Sequence, residues 1–235
     1  MNLLAIDTSN QVLGVALLKE DLLIGEIVTN IKKNHSVRLM PAIDQLMRET
    51  NMRPEMLDKI VVAKGPGSFT GVRIGLATAK AFAWALQIPI VGVSSLEVLA
   101  YQGCFVSSYI CPFFDARRAN VYTGLYRWQG DQVSLVKKER NVAMADWLQQ
   151  LAAEQQEVLF LSPDIALYKD SIVKTMGDRA VIPKGPYHLA KPSHLALAGL
   201  GKNNDNTHTL TPNYLRLAEA EAKWLETQKG KRANG

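Results

Sequence analysis

The order of the apolar segments constrains the fold of this chain more than any other feature of its sequence. Three short apolar runs, 3–8, 12–19 and 22–29, open the chain and are separated only by turn residues, which predicts a three-stranded meander. The segments predicted next are helix 36–50, strand 60–63, helix 72–86 and strand 88–93. Because parallel strands need a crossover such as a helix between them, this order predicts an α/β layered fold.

The same order recurs in the second half of the chain. The predicted segments are strands 109–114, 121–128 and 133–137, helix 145–154, strand 158–161, and helices 166–176 and 193–201. Meander, helix, strand and helix therefore occur twice, which indicates two related halves. A polar linker at 202–209 and a last helix at 212–228 are expected to follow. We predict one subdomain from residues 1–103 plus 212–228 and a second from residues 104–211.

Composition and charge exclude several classes of protein. With 235 residues, 47% apolar and 21% charged, the chain has the composition of a globular protein. A net charge of +5 would suit a nucleic-acid binder, but the basic residues are spread along the chain and form no stripe. No apolar run approaches the length of a membrane span, so we expect a soluble cytoplasmic protein. The spacing of Cys104 and Cys111 does not match a zinc site, and reduced thiols are expected.

One predicted helix carries a stripe of small side chains. Gly71, Gly75, Ala79 and Ala83 recur every fourth residue of that helix. Such a stripe lets another element approach closely, either the protein's own sheet or a helix of a partner protein. The sequence pattern leaves both interpretations open.

Two segments have the residues of a phosphate site. Asp7 closes the first strand and precedes Thr8 and Ser9, which suits either a metal-bound phosphate or the capping of a turn. The glycine-rich turn 65–71 precedes a helix, so its N–H groups are available to an anion. The turn matches neither the Walker pattern nor GxGxxG, and Ser68 or Thr70 acting as the helix N-cap is the alternative.

Other signatures of catalysis are weak in this sequence. No two histidines are four residues apart, and no GxSxG motif occurs, so neither a helical metal pair nor a hydrolase nucleophile is predicted. Asp115, Arg117 and Arg118 follow a predicted strand, where they could bind phosphate or pair with neighbouring residues.

Six segments together resemble the TsaB family, also called YeaZ. They are AIDTSN, HSVRLMP, AKGPGSFTGVRIG, VSSLEVLA, FDARRANVY and PNYLRLAEAEAKW. The resemblance extends from residue 1 to about residue 229, and the glycine-rich and DAR segments are its most specific parts. The KNHSVR variant and the AEAEAKW ending are similar to the version found in Firmicutes.

This resemblance implies a fold and a role in tRNA modification. The implied fold is the actin-like, sugar-kinase-like (ASKHA) fold of two ribonuclease-H-like halves. The implied role is help in installing threonylcarbamoyl on the adenosine next to the anticodon (t6A) in tRNAs that read codons beginning with A. A separate synthase makes the donor, the paralogue TsaD catalyses the transfer, and the ATPase TsaE is a third partner.

The resemblance also implies that this chain has lost a catalytic site. TsaD carries an HxxxH metal pair at the start of the matching helix, whereas this chain has His35 and Leu39 there. One ligand cannot hold that metal, so neither a metal nor a cofactor is expected. The residues that would remain from the phosphate site are Asp7, Thr8, Ser9, Gly65, Gly67, Ser68 and Thr70.

In this family the surface for TsaD is a helical bundle of the first half. The interface residues predicted on that basis are His35, Arg38, Leu39, Ile43, Leu46, Met47, Gly71, Val72, Gly75, Leu76, Ala79, Phe82 and Ala83. We expect the same surface to form a homodimer in isolation, and a charge at Gly75 or Ala79 to break either assembly. Contact with tRNA or a nucleotide through Asp115, Arg117 and Arg118 is a further hypothesis.

Two other functions compete with this scaffold role. An independent ATPase or sugar-kinase-like enzyme would bind Mg-ATP through Asp7 and the glycine-rich turn. A peptidase is the third possibility, because the superfamily was once grouped with metallopeptidases, and the single His35 argues against it.

Overall fold

Two five-stranded mixed sheets with the same topology form the framework of the protein, whose residues 1–215 are described by a computed structural model. The first sheet contains β1 (Leu3–Asp7), β2 (Val12–Lys19), β3 (Leu22–Asn30), β4 (Lys59–Ala63) and β5 (Ile90–Val93) in the order β3-β2-β1-β4-β5. Strands β1 to β3 pair antiparallel, and β4 and β5 run parallel to β1.

The second sheet repeats this arrangement. It contains β6 (Tyr109–Asp115), β7 (Asn120–Gln129), β8 (Gln132–Ala143), β9 (Val158–Leu161) and β10 (Ala180–Val181) in the order β10-β9-β6-β7-β8. Again the meander is antiparallel, and the two later strands run parallel to the first strand of the sheet. The doubled sheet confirms the predicted fold of two ribonuclease-H-like halves.

Six α-helices within residues 1–215 cover the sheets. They are α1 (Leu39–Glu49), α2 (Phe69–Leu86), α3 (Ser95–Ala100), α4 (Met144–Ala153), α5 (Ile165–Met176) and α6 (Pro192–Leu200). The sequence predicted each of them except α3, whose N-cap residue is Ser94. Within residues 1–215, no helix has both the length and the apolar composition of a membrane span.

Three apolar cores separate the layers of the described part of the chain. One lies between the first sheet and the pair α1 and α2, and another lies between the second sheet and the pair α4 and α5. The central core combines α3 and α6 with residues from both sheets, for example Val61 from the first and Phe114 from the second. The two halves therefore share a core, which fixes their relative position.

The end of the described chain corrects the predicted subdomain boundary. Helix α6, assigned to the second half by the range 104–211, packs on the first sheet, where Pro192 lies against Gly14. The predicted linker 202–209 also returns there, because the Asp205 N–H donates to the Ile90 carbonyl at 2.8 Å. Residues 212–215 are not helical, and the rest of the helix predicted at 212–228 lies outside the described residues.

Candidate partner interface and nucleotide cleft

The turn after β1 is held by its own side chains. Asp7 is 4% exposed, and its carboxylate accepts the Ser9 N–H at 2.8 Å. Burial raises the pKa of Asp7, and the hydrogen bonds to Ser9 and the nearby His35 oppose that shift. Asp7 therefore acts as the cap of this turn.

The glycine-rich turn 65–71 packs directly on the turn after β1. The Ser68 N–H donates to the Ser9 carbonyl at 2.7 Å, and the Thr8 hydroxyl donates to the Gly71 carbonyl at 2.7 Å. A Cβ on Gly67 would lie 2.1 Å from the Ser9 carbonyl oxygen, and one on Gly71 would lie 2.2 Å from that of Thr8. These two glycines are needed for close approach of α2 to β1.

A residue of the glycine-rich turn itself, Ser68, caps the N-terminus of α2. Ser68 is the N-cap residue, and its hydroxyl accepts the Gly71 N–H at 3.2 Å, which confirms the N-cap prediction for Ser68. Thr70 is exposed in the first turn, and the Gly65 N–H donates to the Ser95 hydroxyl at 3.2 Å. The structure thus brings Thr8 and Ser9 together with Gly67, Ser68 and Gly71, whereas Gly65 bonds elsewhere.

Little space remains between the halves beside Asp7. The cavity there has a volume of about 10 Å³, and its walls are Asp7, Asn10, Val12, Phe114, Pro163, Leu189 and Ala190. That volume corresponds to one water molecule, whereas small-molecule sites have volumes of about 300–1,000 Å³. Among the described residues, the cavity beside Asp7 is therefore too small to hold a nucleotide.

The residues at the start of α1 do not fit a TsaD-type metal. His35 donates from Nε2 to the Asn10 carbonyl at 2.7 Å, and Leu39 is 1% exposed in the core. Among residues 1–215, no group of three His, Cys, Asp or Glu side chains has the geometry of a metal site. His35 fastens the segment before α1 to the turn after β1.

The turn between β6 and β7 holds the other predicted contact residues. Asp115 accepts the Tyr168 hydroxyl at 2.7 Å and the Arg117 N–H at 3.1 Å. This carboxylate raises the pKa of Tyr168, after the larger effect of burial. Arg117 and Arg118 are exposed, with left-handed φ values of 65° and 53°. Asp115 therefore pairs within the protein, and anion binding by the two arginines stays a prediction.

The predicted interface residues lie largely in the protein's own core, which corrects that assignment. A Cβ on Gly75 would lie 2.5 Å from the Thr8 hydroxyl oxygen, and Ala79 and Ala83 are 0% and 2% exposed. The other predicted interface residues buried in this way are Leu39, Ile43, Leu46, Met47, Gly71, Val72 and Leu76. Only His35, Arg38 and Phe82 are partly exposed. The physical reason is that the apolar face of an amphipathic helix packs first on its own sheet.

The opposite faces of the two helices are the ones exposed. On α2 the exposed face consists of Phe69, Arg73, Ala77, Ala81 and Trp84, which recur every three or four residues. Phe69 and Trp84 are 48% and 63% exposed. The sequence interpretation missed this face, although the spacing shows it once the small-residue stripe is assigned to the core.

Arg73, on this face, contacts both Phe69 and the end of the described chain. The Arg73 guanidinium lies 3.8 Å from the centre of the Phe69 ring, and its Nε donates to the Tyr214 hydroxyl at 2.8 Å. Beside it, before and on α1, Val37 and Met40 are 68% and 48% exposed. We call the exposed residues Val37, Met40, Phe69, Arg73, Ala77, Ala81 and Trp84 the α1–α2 face.

Comparisons with known proteins show which family the chain is similar to. Residues 23–224 match the family model described as TsaD: tRNA N6-adenosine threonylcarbamoyltransferase. The chain is 52% identical over 229 residues to the Bacillus subtilis tRNA threonylcarbamoyladenosine biosynthesis protein TsaB, covering 97% of this chain and 100% of that one. The Escherichia coli protein of the same name is 30% identical, covering 66% of this chain and 69% of its own. The solved structure of YeaZ from Pseudomonas aeruginosa has a TM-score of 0.75 and 29% identity, covering 91% of this chain and 99% of that one.

Two sheets of ribonuclease-H-like topology around a shared core define an actin-like protein of the ASKHA class. Within that class, the chain belongs to the TsaB family, also called YeaZ.

Proposed function

We propose that this chain is a non-catalytic cytoplasmic subunit in the biosynthesis of threonylcarbamoyladenosine in tRNA. It binds the catalytic paralogue TsaD and, through that complex, works with the ATPase TsaE and with tRNA. The observation that carries the proposal is the combination of 52% identity to a TsaB protein over 97% of the chain with a cavity of only about 10 Å³ beside Asp7 at the turn after β1. A protein with so small a cavity at this position is suited to assist the catalysis of a partner protein.

The α1–α2 face is the surface that we assign to TsaD. It is apolar at Phe69 and Trp84, and small at Ala77 and Ala81, so a partner helix can approach α2 closely. Aromatic residues and arginine are the residue types enriched in the centres of protein interfaces, which fits Phe69, Arg73 and Trp84. In the absence of TsaD, we expect this face to pair with a second copy and form a symmetric homodimer.

A charge on this face is the appropriate test of binding. Ala81→Glu places a carboxylate at an exposed position of α2, so the fold tolerates it, whereas a partner surface would have to bury it. We expect at least a tenfold loss of affinity for purified TsaD, or about 1.4 kcal/mol, and a shift of the isolated protein toward monomer. The matched control is Leu167→Glu on α5, where an exposed leucine lies on the other half.

The role itself is tested by reconstitution of the modification. Threonylcarbamoyladenosine formation is measured with tRNA, the donor, TsaD and TsaE, with and without this chain. We expect formation to require the chain and to fall with Ala81→Glu, while Leu167→Glu behaves as the wild type. Equal formation without the chain would refute the accessory role. Equal affinity of Ala81→Glu and wild type for TsaD would refute the assignment of the surface.

The competing enzymatic functions receive less support. An ATPase requires room for Mg-ATP beside Asp7, where the cavity has the volume of one water molecule. A solved relative from Pseudomonas aeruginosa is described by its similarity to peptidase YEAZ. In this chain His35 is already bonded to the Asn10 carbonyl, and Leu39 stands at the matching position four residues later.

A further inference from the structure

A second and larger cavity lies at the end of the second sheet that is remote from Asp115. Strands β6 and β7 pair Asp115 with Val121 near one end and Ile110 with Tyr126 toward the other, and Trp128 lies beyond that pair. The cavity beside Trp128 has a volume of about 420 Å³. Small-molecule sites fall in the range of about 300–1,000 Å³. We call this cavity the junction pocket, because the β7–β8 hairpin, α6 and the segment after α3 all contribute to it.

Aromatic rings form one continuous wall of the junction pocket. The Trp128 ring lies 5.2 Å from that of Phe105 and 6.0 Å from that of Tyr101, measured between ring centres. Tyr101 in turn lies 6.1 Å from the His194 ring. The π-face of a tryptophan or phenylalanine ring is electron-rich and attracts a cation held against it, which applies here to Trp128 and the exposed Phe105.

Phe105, at the rim of this wall, has an unusual exposure and an unusual backbone conformation. Its side chain is 84% exposed, although phenylalanine is among the most apolar residues. Its backbone has a φ of 68°, a left-handed conformation that costs a residue with a side chain about 1–2 kcal/mol. Bulky residues in this conformation concentrate at binding and catalytic sites, where the surrounding structure maintains the strain.

The charged side chains that line the junction pocket are net negative. Glu97 forms an ion pair with Lys202 at 3.0 Å, so these two charges balance. Asp131 is exposed at the hairpin turn and forms no ion pair with any residue of the described chain. Burial lowers the pKa of His194 to about 4, and the ring therefore adds no positive charge at neutral pH. One carboxylate is left without a counterion beside the aromatic wall.

We infer that the junction pocket binds an organic cation, with a guanidinium or alkylammonium group against Trp128 and Phe105 and its charge balanced by Asp131. The cavity volume leaves room for an aliphatic stem next to Val133 and Ala198, which are 9% and 5% exposed. Phosphate-bearing ligands are disfavoured because Asp131 would repel them. A free cationic metabolite and an arginine side chain of another protein share this chemistry.

The inference is tested by NMR on the full-length ¹⁵N-labelled protein. The indole N–H signal of Trp128, identified with Trp128→Phe, is followed while agmatine is added, and butylurea serves as a neutral planar control. We expect agmatine to shift this signal with a dissociation constant of about 1 mM and butylurea to leave it unchanged. A short peptide with one arginine separates the two sources, because tighter binding of the peptide than of agmatine indicates a side chain of a partner.

Variants make the test specific to the pocket. Phe105→Ala removes a ring that is 84% exposed, so the fold is retained, and we expect at least a threefold increase in the dissociation constant of agmatine. Asp131→Asn should have a similar effect, whereas Asp170→Asn, at an exposed aspartate of α5, should have none. The inference is wrong if neither agmatine nor the arginine peptide shifts the Trp128 signal, or if butylurea shifts it equally. It is also wrong if AMP, added as a phosphate-bearing ligand, binds more tightly than agmatine.

Discussion

At the scale of single residues, Gly71 sets the distance between α2 and β1. A Cβ at this position would lie 2.2 Å from the Thr8 carbonyl oxygen, which is part of the backbone and cannot move aside. Gly71→Ala should therefore lower the free energy of unfolding by about 2 kcal/mol or more, measured by urea denaturation. Gly201→Ala is the control, because nothing lies within 4 Å of a Cβ there. A Gly71→Ala protein as stable as Gly201→Ala would contradict this account.

His194 gives the protein a dependence of stability on pH. Burial, and then the charge of Lys191, lower its pKa to about 4, while Glu26 opposes the shift. In the unfolded chain histidine titrates near pH 6.5, so below that pH the unfolded state binds a proton that the folded state does not bind. The stability linked to His194 is complete above about pH 6.5 and is lost as the pH falls toward 4.

The His194→Gln variant measures this dependence. Between about pH 7 and pH 5, the wild type should lose about 1 to 2 kcal/mol more unfolding free energy than His194→Gln. Urea denaturation at each pH is the measurement. His208→Gln, at an exposed histidine, should follow the wild type. Parallel pH profiles for wild type and His194→Gln would show that His194 is not the source.

At the scale of elements, the N-terminus of α2 depends on Ser68. Its hydroxyl accepts the Gly71 N–H at 3.2 Å, and its own N–H donates to the Ser9 carbonyl. Ser68→Ala removes the first bond only, so the expected loss is about 1 kcal/mol of unfolding free energy. Thr70→Ala, exposed in the same turn, should cost less than half as much. Equal losses for the two variants would mean that Ser68 does not cap the helix.

Element types and their order were predictable from the sequence, because apolar spacing differs between strands and helices. The strands at 60–63 and 158–161 and the helix near 166–176 are found almost where periodicity placed them. The role of the small-residue stripe was not predictable. Both interpretations of Gly71 to Ala83 fit the same spacing, and the burial of these residues in the structure, with Gly75 packed beside Thr8, distinguishes them. Helix α3 escaped prediction because its six residues are too few to show a period.

The junction pocket was equally beyond sequence reasoning. Tyr101, Trp128 and His194 lie far apart in the chain, and α6 brings His194 to the other two by packing on the first sheet. By contrast, the turn residues Asp7 to Ser9 and the glycine-rich turn were recognised by type, and the structure shows that they bond to each other. The chemical character of single segments could thus be predicted from the sequence, whereas the contacts between distant segments could not.

At the scale of the whole molecule, Glu139 connects the two halves. Its carboxylate on β8 accepts the hydroxyls of Ser94, which caps α3, and of Tyr126 on β7. Its other oxygen accepts the Asn213 side chain at 3.0 Å, and the Asn213 N–H donates to the Lys64 carbonyl at 2.7 Å. One carboxylate therefore joins both sheets and the returning end of the described chain.

Glu139→Ala should weaken the whole protein, because it leaves three polar groups without their acceptor. We expect a loss of about 2 to 3 kcal/mol in unfolding free energy, and a common fall of amide exchange protection in β4 and β9, since the halves share one core. Glu154→Ala, which breaks the surface pair with Lys137, should cost less than about 1 kcal/mol. A decrease in protection in the second sheet alone would contradict this role, because it would show that Glu139 stabilises only its own half. The shared core would then hold the two halves together without Glu139.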